Sequence, residues 1–284
     1  MQKILFIILF DLFCSASLFS QNIHQIKSYS DDQFEKGNYS VALKEYQRVQ
    51  LFDNEKIYND IYSKIASIYF NQADYNNAIR YLNFAWTVEQ NDSLKFEIAI
   101  NKTLCNLLLN DNYTALTELF DISEYNSEYF RNKKSLYTGI CYFGLADYGE
   151  SISYLVQLVD SVGAIKLNKI FTDYIRYIKK YNPEKIELMS SIFPGLGQIY
   201  MGEVGSGLNS IVLLTAIVAY AYYTTSIYGL IDGALVLSSW FYRYYKGGAI
   251  KANIAAQEKL TKKKTQVYNK ILSTIEYQHQ KTKL

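Results

Sequence analysis

The residues that most often carry out chemistry are scarce in this sequence and far apart. Its two histidines, His24 and His279, lie at opposite ends of the chain, and its three cysteines form no Cys-x-x-Cys pair. Zinc and redox centres need such residues at close spacing. No Ser-His-Asp, Cys-His or paired-carboxylate set stands at a usable spacing either. We therefore expect no catalytic residues, no metal and no cofactor, and a protein that is not an enzyme.

Three glycines, Gly195, Gly197 and Gly202, could be mistaken for a loop that cradles a phosphate. No strand pattern precedes them, and the lysine of a phosphate loop is missing. Glycine also lets a backbone turn sharply and lets helices approach closely. We therefore expect a steric role for these residues and no nucleotide binding.

One carboxylate, Asp232, lies inside an apolar stretch. At mid-bilayer it would cost roughly 2.5–3.5 kcal/mol on insertion scales, so it is a functional candidate by default. No Lys or Arg lies in the same apolar stretches. We expect an interfacial anchor or a helix cap, with ion or proton handling as the alternative. Gly229 and Gly233 form a small-xxx-small pair that favours contact between helices, within one chain or between subunits.

Cys105 and Cys141 fall on the first helices of two neighbouring predicted units. A disulfide needs Cα atoms within about 7 Å, whereas packed helix axes lie about 8–10 Å apart. We expect two buried free thiols, with a disulfide as the alternative.

Composition favours a helical protein, and its charge is distributed unevenly along the sequence. Only two prolines and 14 glycines interrupt 284 residues, which indicates long helices rather than many strands. Residues 21–187 have a net charge of −4, residues 188–242 have −2, and the last 42 residues have +8. The excess of basic over acidic residues is thus confined to the segment that follows the apolar block, so we expect no nucleic-acid partner.

The first 20 residues place one lysine before an apolar stretch and close with small residues, as export signals do. We expect residues 1–20 to be a signal peptide and the mature chain to begin near Gln21. An uncleaved anchor is the alternative, because Asp11 interrupts the apolar stretch. Cys14 is not expected to carry a lipid, because the bulky Leu12 and Phe13 precede it.

A short phrase returns four times between residues 21 and 158. Its tyrosines stand at separations of 36, 38 and 35 residues and are Tyr39, Tyr75, Tyr113 and Tyr148. A polar turn precedes each tyrosine and an apolar helical face follows it, which predicts about four stacked helix–turn–helix units. We expect residues 159–187 to form a closing helix and linker that cover the last unit.

The second unit resembles the tetratricopeptide repeat family. The matching residues of its two helices are Tyr62, Ile65, Ala66, Tyr69, Tyr75, Ala78, Leu82 and Ala85. In the fourth unit, Gly139 and Ser151 take the places of the small residues. The third unit departs, with Leu104 and Leu116 where small residues are expected, and the first has Gln33 where an aromatic residue is usual.

The resemblance implies a concave face, formed by the first helices, that contacts a protein partner. The residues expected on this face are Phe34, Phe70, Asn71, Asn101, Leu108 and Phe143. The four apolar members are expected at one place in each unit, where they form a stripe. The alternative is that the stack itself covers this stripe.

Two apolar runs, 208–223 and 227–242, follow the repeats. Each has about 16 residues against the roughly 20 that span a bilayer, and aromatic residues at both ends extend them. We therefore expect a two-span transmembrane hairpin over residues 208–245, connected at Thr224-Thr225-Ser226.

A glycine-rich segment, residues 188–207, leads into the first run. Its motif consists of Pro194, Gly195, Gly197, Gln198, Tyr200 and Gly202. This motif resembles the small two-span membrane domain family, in particular its bacterial envelope variants that open Pro-Gly-x-Gly-Gln-x-Tyr-x-Gly. The Ile231-Asp232-Gly233 sequence of the second run also agrees. The resemblance implies residence in a lipid bilayer.

Residues 246–284 are predicted to form a basic helical tail that lies on anionic lipid or packs on the repeats. The export signal places the repeats outside the cytoplasm, whereas the Lys and Arg residues after Trp240 favour a cytoplasmic tail. We give the signal more weight, because a long domain is translocated largely regardless of its charge. The expected location is the bacterial inner membrane, with the repeats on the periplasmic side.

These expectations describe an all-α protein with a non-catalytic scaffold function, in which helical repeats anchored in the membrane bind a protein partner in the cell envelope. The alternative is an oligomeric transport or channel component, assembled through Gly229 and Gly233, with Asp232 lining a polar path. An enzyme is a third hypothesis, which would need a compact pocket with convergent titratable groups.

Overall fold

The computed structural model describes residues 22–122 and 127–282, and every regular element in these ranges is a helix. The prediction of an all-α chain is confirmed for them. The predicted signal peptide, residues 1–20, lies outside the described residues. The chain divides into an N-terminal unit, Met1–Tyr154, and a C-terminal unit, Leu155–Leu284.

The N-terminal unit consists of helices that pair in the order of the sequence. They are α1 (Ile23–Glu35), α2 (Tyr39–Phe52), α3 (Asp60–Asn71), α4 (Tyr75–Val88), α5 (Asp92–Leu108), α6 (Asn112–Phe120), α7 (Glu128–Gly144) and α8 (Tyr148–Leu155). The odd-numbered helix of each pair packs against the even-numbered helix that follows it.

One turn geometry joins the two helices of every pair. Each turn contains one residue with a left-handed backbone, and these residues are Gly37, Ala73, Asn110 and Ala146. The N–H of the next residue donates to the carbonyl five residues back in all four turns, at 2.9–3.0 Å. This bond satisfies a carbonyl that the end of a helix would otherwise leave unpaired.

The turns show that the tyrosine alignment is wrong by one residue in the third unit. The left-handed residues recur after 36, 37 and 36 residues. Asn112 therefore takes the place of Tyr39 and Tyr75 at the start of the second helix, and Tyr113 is 70% exposed. By the same count, Leu107 and not Leu108 holds the place of the stripe aromatics.

In the corrected register, small residues occupy equivalent buried positions in all four pairs. They are Ser30, Ala66, Thr103 and Gly139 on the first helices and Ala42, Ala78, Ala115 and Ser151 on the second. In the third pair, the hydroxyl of Thr103 donates to the carbonyl of Ala115 at 3.5 Å. The expectation that Leu104 and Leu116 fill these places is therefore wrong.

The C-terminal unit begins with a short 3₁₀ turn, Val156–Leu158. Its helices are α9 (Ser161–Lys180), α10 (Pro183–Ile192), α11 (Leu196–Met201), α12 (Val204–Tyr228), α13 (Leu230–Val236) and α14 (Tyr242–Thr282), with a π-helical stretch, Leu237–Phe241, between α13 and α14. Helix α14 packs against α9, α10 and α11, and α12 packs against α11 and α13.

Two predicted boundaries change in this unit. The helix expected to close the repeats, within residues 159–187, is α9, which belongs to the C-terminal unit and packs along α14. The basic tail expected at residues 246–284 has no separate start, because α14 begins at Tyr242 and continues through it. Apolar residues of α14, including Val267, Ile271 and Ile275, are buried.

Helix α12 is the one helix among the described residues with the length and composition to cross a membrane. It has 25 residues and a mean hydropathy of 1.7, and only 17% of its most apolar stretch is buried. The second apolar run, 227–242, begins in the last two residues of α12 and continues through α13 and the π-helical stretch to the start of α14.

The expected connection at Thr224-Thr225-Ser226 is wrong, because α12 runs through these residues. Their hydroxyls donate to carbonyls four residues back within the helix, at 2.8–2.9 Å. The helix ends instead at Gly229, whose φ of +110° disfavours any residue with a side chain.

The corrected register predicts opposite effects for two neighbouring substitutions. Ala115→Leu forces a large side chain into a fully buried position and should destabilise the N-terminal unit by about 1–3 kcal/mol. Tyr113→Ala, at an exposed position, should change the free energy of unfolding by less than about 0.5 kcal/mol. Thermal unfolding of the full chain in detergent measures both. A larger loss of unfolding free energy for Tyr113→Ala than for Ala115→Leu would contradict the corrected register and support the alignment by tyrosines.

Candidate functional site

A groove of about 170 Å³ lies between α3 and α5 in the N-terminal unit. Its lining residues are Ala66, Ser67, Phe70, Asn71, Leu82, Asn101, Leu104 and Cys105. Phe70, Asn71 and Asn101 belong to the set predicted to contact a partner. The structure thus brings half of that set to one place.

Asn71 and Asn101 give this groove its hydrogen-bonding capacity. Both residues are exposed, and neither side-chain amide forms a hydrogen bond within the described chain. A side-chain amide offers two donors and one acceptor, the same groups that a peptide backbone presents. Phe70 and Leu104 supply apolar walls beside them. The arrangement suits an extended peptide segment with an apolar side chain.

The aromatic residues of the predicted stripe have contacts of their own. Phe34, Phe70 and Phe143 each pack edge-on against the tyrosine that begins the next helix, with ring centroids 5.6–5.7 Å apart. Phe143 is only 3% exposed. Leu108 is half exposed and does not line the groove. These phenylalanines therefore stabilise the turns within their pairs, and of the three only Phe70 also borders the groove.

A network of ion pairs, which the sequence analysis missed, joins α1 to α3. Asp31 lies 2.7 Å from Lys27 and 2.6 Å from Lys64, and Asp60 lies 2.9 Å from Lys27 and 3.0 Å from Lys64. The buried Tyr46 hydroxyl donates to Asp31 at 2.7 Å. The sequence signal was a Lys/Asp pair and an Asp/Lys pair at i,i+4 spacing on consecutive first helices.

The network lowers the pKa of both carboxyl groups. Burial alone would raise the pKa of Asp31, but hydrogen bonds from Lys27 and Lys64 outweigh it. The same balance lowers the pKa of Asp60. For Lys27, burial would lower the pKa, and its bonds to Asp31 and Asp60 reverse this and raise it. These charges hold helices of two pairs together, and no contact with a substrate is needed to explain them.

Cys105 and Cys141 are free, as expected, and both are buried. They lie in separate hydrophobic clusters. Burial raises the pKa of Cys105 to about 11 and that of Cys141 to about 12. Both thiols therefore stay protonated at neutral pH, where they are poor nucleophiles.

The glycine-rich motif of the C-terminal unit builds a junction of four helices around Gln198. This side chain, on α11, is fully buried. Its Nε2 donates to the carbonyl of Gly248 on α14 at 2.9 Å and to Ser210 Oγ on α12 at 3.4 Å. Its Oε1 accepts a hydrogen bond from Ser190 Oγ on α10 at 3.5 Å. One amide thus contacts the three helices that surround α11.

The glycines of the motif allow this close approach. A Cβ atom on Gly197 would lie 2.6 Å from the carbonyl oxygen of Ile186, and one on Gly195 would overlap the carbonyl oxygen of Gly207. Gly195 and Gly202 also have φ values of +88° and +91°, at the two ends of α11. Only glycine adopts such a backbone at low cost.

The two remaining motif residues lie on the surface of the junction. Pro194 lines an apolar hollow of about 340 Å³ beside α12. Tyr200 is 41% exposed, and its ring centroid lies 6.0 Å from that of Tyr181, which follows the last residue of α9.

The three residues predicted to lie in the membrane, Gly229, Asp232 and Gly233, have different surroundings. Gly229 ends α12 and has nothing within 4 Å of the position of a Cβ, so within the described chain it makes no helix–helix contact together with Gly233. A Cβ on Gly233 would overlap Thr225 Oγ1 of α12, which explains the close packing of α13 on α12. Asp232 is exposed in the first turn of α13, and its carboxylate has no partner among the described residues.

Comparison of the chain with protein-family models, with curated proteins and with solved structures finds no match. Within residues 22–122 and 127–282, no three His, Cys, Asp or Glu side chains are grouped so that they could hold a metal ion.

The four-helix junction predicts a large difference between two glycine substitutions. Gly197→Ala places a methyl group against the backbone of α10 and should loosen the packing of α10 and α14. Gly205→Ala, in the first turn of α12, meets open space and should leave the junction unchanged. Hydrogen exchange at residues 245–256 of the full chain measures the effect. Equal protection in both variants would contradict the junction.

The ion-pair network predicts that the stability of the N-terminal unit depends on pH in the acid range. Because Asp31 and Asp60 have lowered pKa values when folded, the unfolded chain binds more protons, and stability falls as the pH drops below the usual carboxyl value of 3.8. Asp31→Asn should weaken this dependence in acid unfolding experiments. Asp32→Asn is the control, because the ion pair of Asp32 among the described residues is with the exposed Lys36, outside the network. The network is refuted if the two variants give the same acid profile.

Proposed function

We propose that this chain is a non-catalytic, membrane-anchored helical-repeat scaffold that binds a protein partner in the bacterial cell envelope. The groove between α3 and α5 carries this proposal. It combines apolar walls with two exposed side-chain amides, Asn71 and Asn101, that have no hydrogen-bond partner in the described chain. Pairing these amides with a partner would satisfy polar groups that only water can satisfy otherwise.

The groove fits a short extended segment of the partner. An apolar side chain of that segment would lie between Phe70 and Leu104, at the floor formed by Ala66 and Leu82. The amides of Asn71 and Asn101 would donate to and accept from its backbone. A cavity of this size holds one side chain, so further contacts along the first helices would be needed for tight binding.

The membrane anchor of this proposal is the two-span hairpin of residues 208–245, with α12 as its first span. The second span would be α13, the π-helical stretch and the first residues of α14. Exposed aromatic side chains support this assignment at both ends of the second span. At the end of α12, Tyr222 and Tyr228 are 77% and 70% exposed, and on the π-helical stretch Trp240 is 54% exposed. Tyr and Trp are enriched where bilayer meets water.

The proposed location is the bacterial inner membrane, with the repeats in the periplasm. Its support is the signal-like pattern of residues 1–20. Both resemblances, to tetratricopeptide repeats and to the small two-span membrane domain family, remain part of the proposal. The repeated turns at Gly37, Ala73 and Ala146 support the first of them.

Site-specific photocrosslinking in intact cells tests the scaffold. A photoreactive residue replaces Ser67, an exposed residue of the groove, and Thr87, an exposed residue of α4 that does not line it, serves as the control. We expect a discrete adduct at Ser67 and none at Thr87. Adding Asn71→Ala and Asn101→Ala should reduce the Ser67 adduct at least about tenfold, as expected for losing about 1.4 kcal/mol of binding free energy.

The same experiment separates the scaffold from a transport component. Asp232→Asn leaves the groove intact and should leave the Ser67 adduct unchanged. An adduct that survives the asparagine substitutions, or that forms equally at Thr87, would show that the groove does not bind the partner.

A further inference from the structure

Three tyrosines form a platform in the C-terminal unit, close to the point where α12 begins. Tyr177 on α9 and Tyr181, the residue that follows α9, have ring centroids 4.6 Å apart, and the ring centroid of Tyr200 on α11 lies 6.0 Å from that of Tyr181. All three side chains are partly exposed. We call this group the tyrosine platform.

Three lysines gather on the tyrosine platform. The ammonium groups of Lys259 and Lys180 lie 4.3 Å and 5.2 Å from the ring centroid of Tyr181, and that of Lys263 lies 5.1 Å from Tyr177. Lys259 also donates to the carbonyl of Met201 at 3.5 Å. Contact with the faces of aromatic rings holds these cations in place.

No carboxylate compensates these three charges among the residues that the structure describes. The ion pairs of the described chain involve other lysines and arginines. Three ammonium groups around two rings in contact repel one another, and a bound anion would offset that repulsion. The cluster therefore has the electrostatics of an anion site.

The position of the cluster indicates the source of the anion. Met201, which Lys259 contacts, lies three residues before Val204, where α12 begins. Residues 204–242 contain a single charged side chain, Asp232. If α12 crosses a bilayer, the lysines lie where the phosphates of the lipid headgroups are found, at one end of the span only.

We propose that Lys180, Lys259 and Lys263, held on the tyrosine platform, bind the phosphate of an anionic phospholipid headgroup. This proposal rests on the proposed membrane placement of α12. Lysine is a compact point charge suited to phosphate, and tyrosine hydroxyls can donate to the remaining oxygens. The occupant would fix the depth and rotation of the C-terminal unit at the bilayer surface.

Lipid titration of the full-length protein in neutral detergent tests this site. Phosphatidylglycerol, phosphatidylcholine and inorganic phosphate are added separately, and bound lipid is counted by native mass spectrometry. The test variant is Lys180→Gln/Lys259→Gln/Lys263→Gln. The control, Lys251→Gln/Lys262→Gln/Lys270→Gln, removes three other exposed lysines of α14 and has the same net charge.

We expect phosphatidylglycerol to bind more tightly than phosphatidylcholine, and the test variant to lose this affinity about tenfold while the control keeps it. A variant with arginine at the same three positions should retain binding, which shows that charge, and not a folding defect, is responsible. Equal losses in test and control variants would mean diffuse attraction and overturn the proposal. Binding of inorganic phosphate as tight as that of phosphatidylglycerol would replace the lipid with a free anion.

Failure of this site can be told apart from failure of the proposed function. Quenching of Trp240 by brominated lipid reports membrane insertion and involves none of the three lysines. Intact quenching without a preference for phosphatidylglycerol refutes the headgroup site alone. Absence of quenching in the Trp86→Phe protein with all three lysines intact, where Trp240 is the single reporter, refutes the membrane anchor.

Discussion

The apolar side chains on the outside of α12 and α13 are the constraint on which the rest depends. Leu230 and Ile231 are 81% and 77% exposed, and most of α12 contacts no other part of the described chain closely enough to be buried. Leaving such a surface in water costs about 25 cal/mol for each Å² of apolar area, and soluble monomers rarely show a continuous patch of this kind. A bilayer removes that cost. If α12 crosses a bilayer, the same requirement accounts for the scarcity of charge in residues 188–242.

The junction around Gln198 fixes the position of the N-terminal part of α12 relative to α10, α11 and α14. A fully buried amide must find hydrogen-bond partners, and those of Gln198 lie on α10, α12 and α14. The glycines around it remove the side chains that would keep these helices apart. The role of the motif Pro-Gly-x-Gly-Gln-x-Tyr-x-Gly is therefore to allow close helix packing. Each of its small or polar residues is explained by a contact or a backbone angle, and none needs a reaction to explain it.

Helical periodicity and the repeated turns were readable from the sequence, because side-chain patterning reflects which face is buried. The register of the third pair was not, because Tyr113 stands one residue from the structural position, and the left-handed residue that fixes the register differs in type among the turns, as Gly37, Ala73, Asn110 and Ala146. The end of α12 at Gly229 was also not predicted. Thr224 and its neighbours looked like a polar loop, but their hydroxyls bond within the helix. Of the eight residues that line the groove, the sequence predicted three, Phe70, Asn71 and Asn101. The ion pairs between α1 and α3 depend on a tertiary contact that spacing alone does not show.

Depth-dependent quenching of Trp240 tests the central claim most directly. The chain has two tryptophans, so Trp86→Phe leaves Trp240, on the exposed π-helical stretch, as the single reporter. In vesicles that contain brominated phospholipids, our account predicts strong quenching of Trp240 by the bromine atoms and protection from iodide in water. Unquenched fluorescence in brominated vesicles, with full access to iodide, would contradict it.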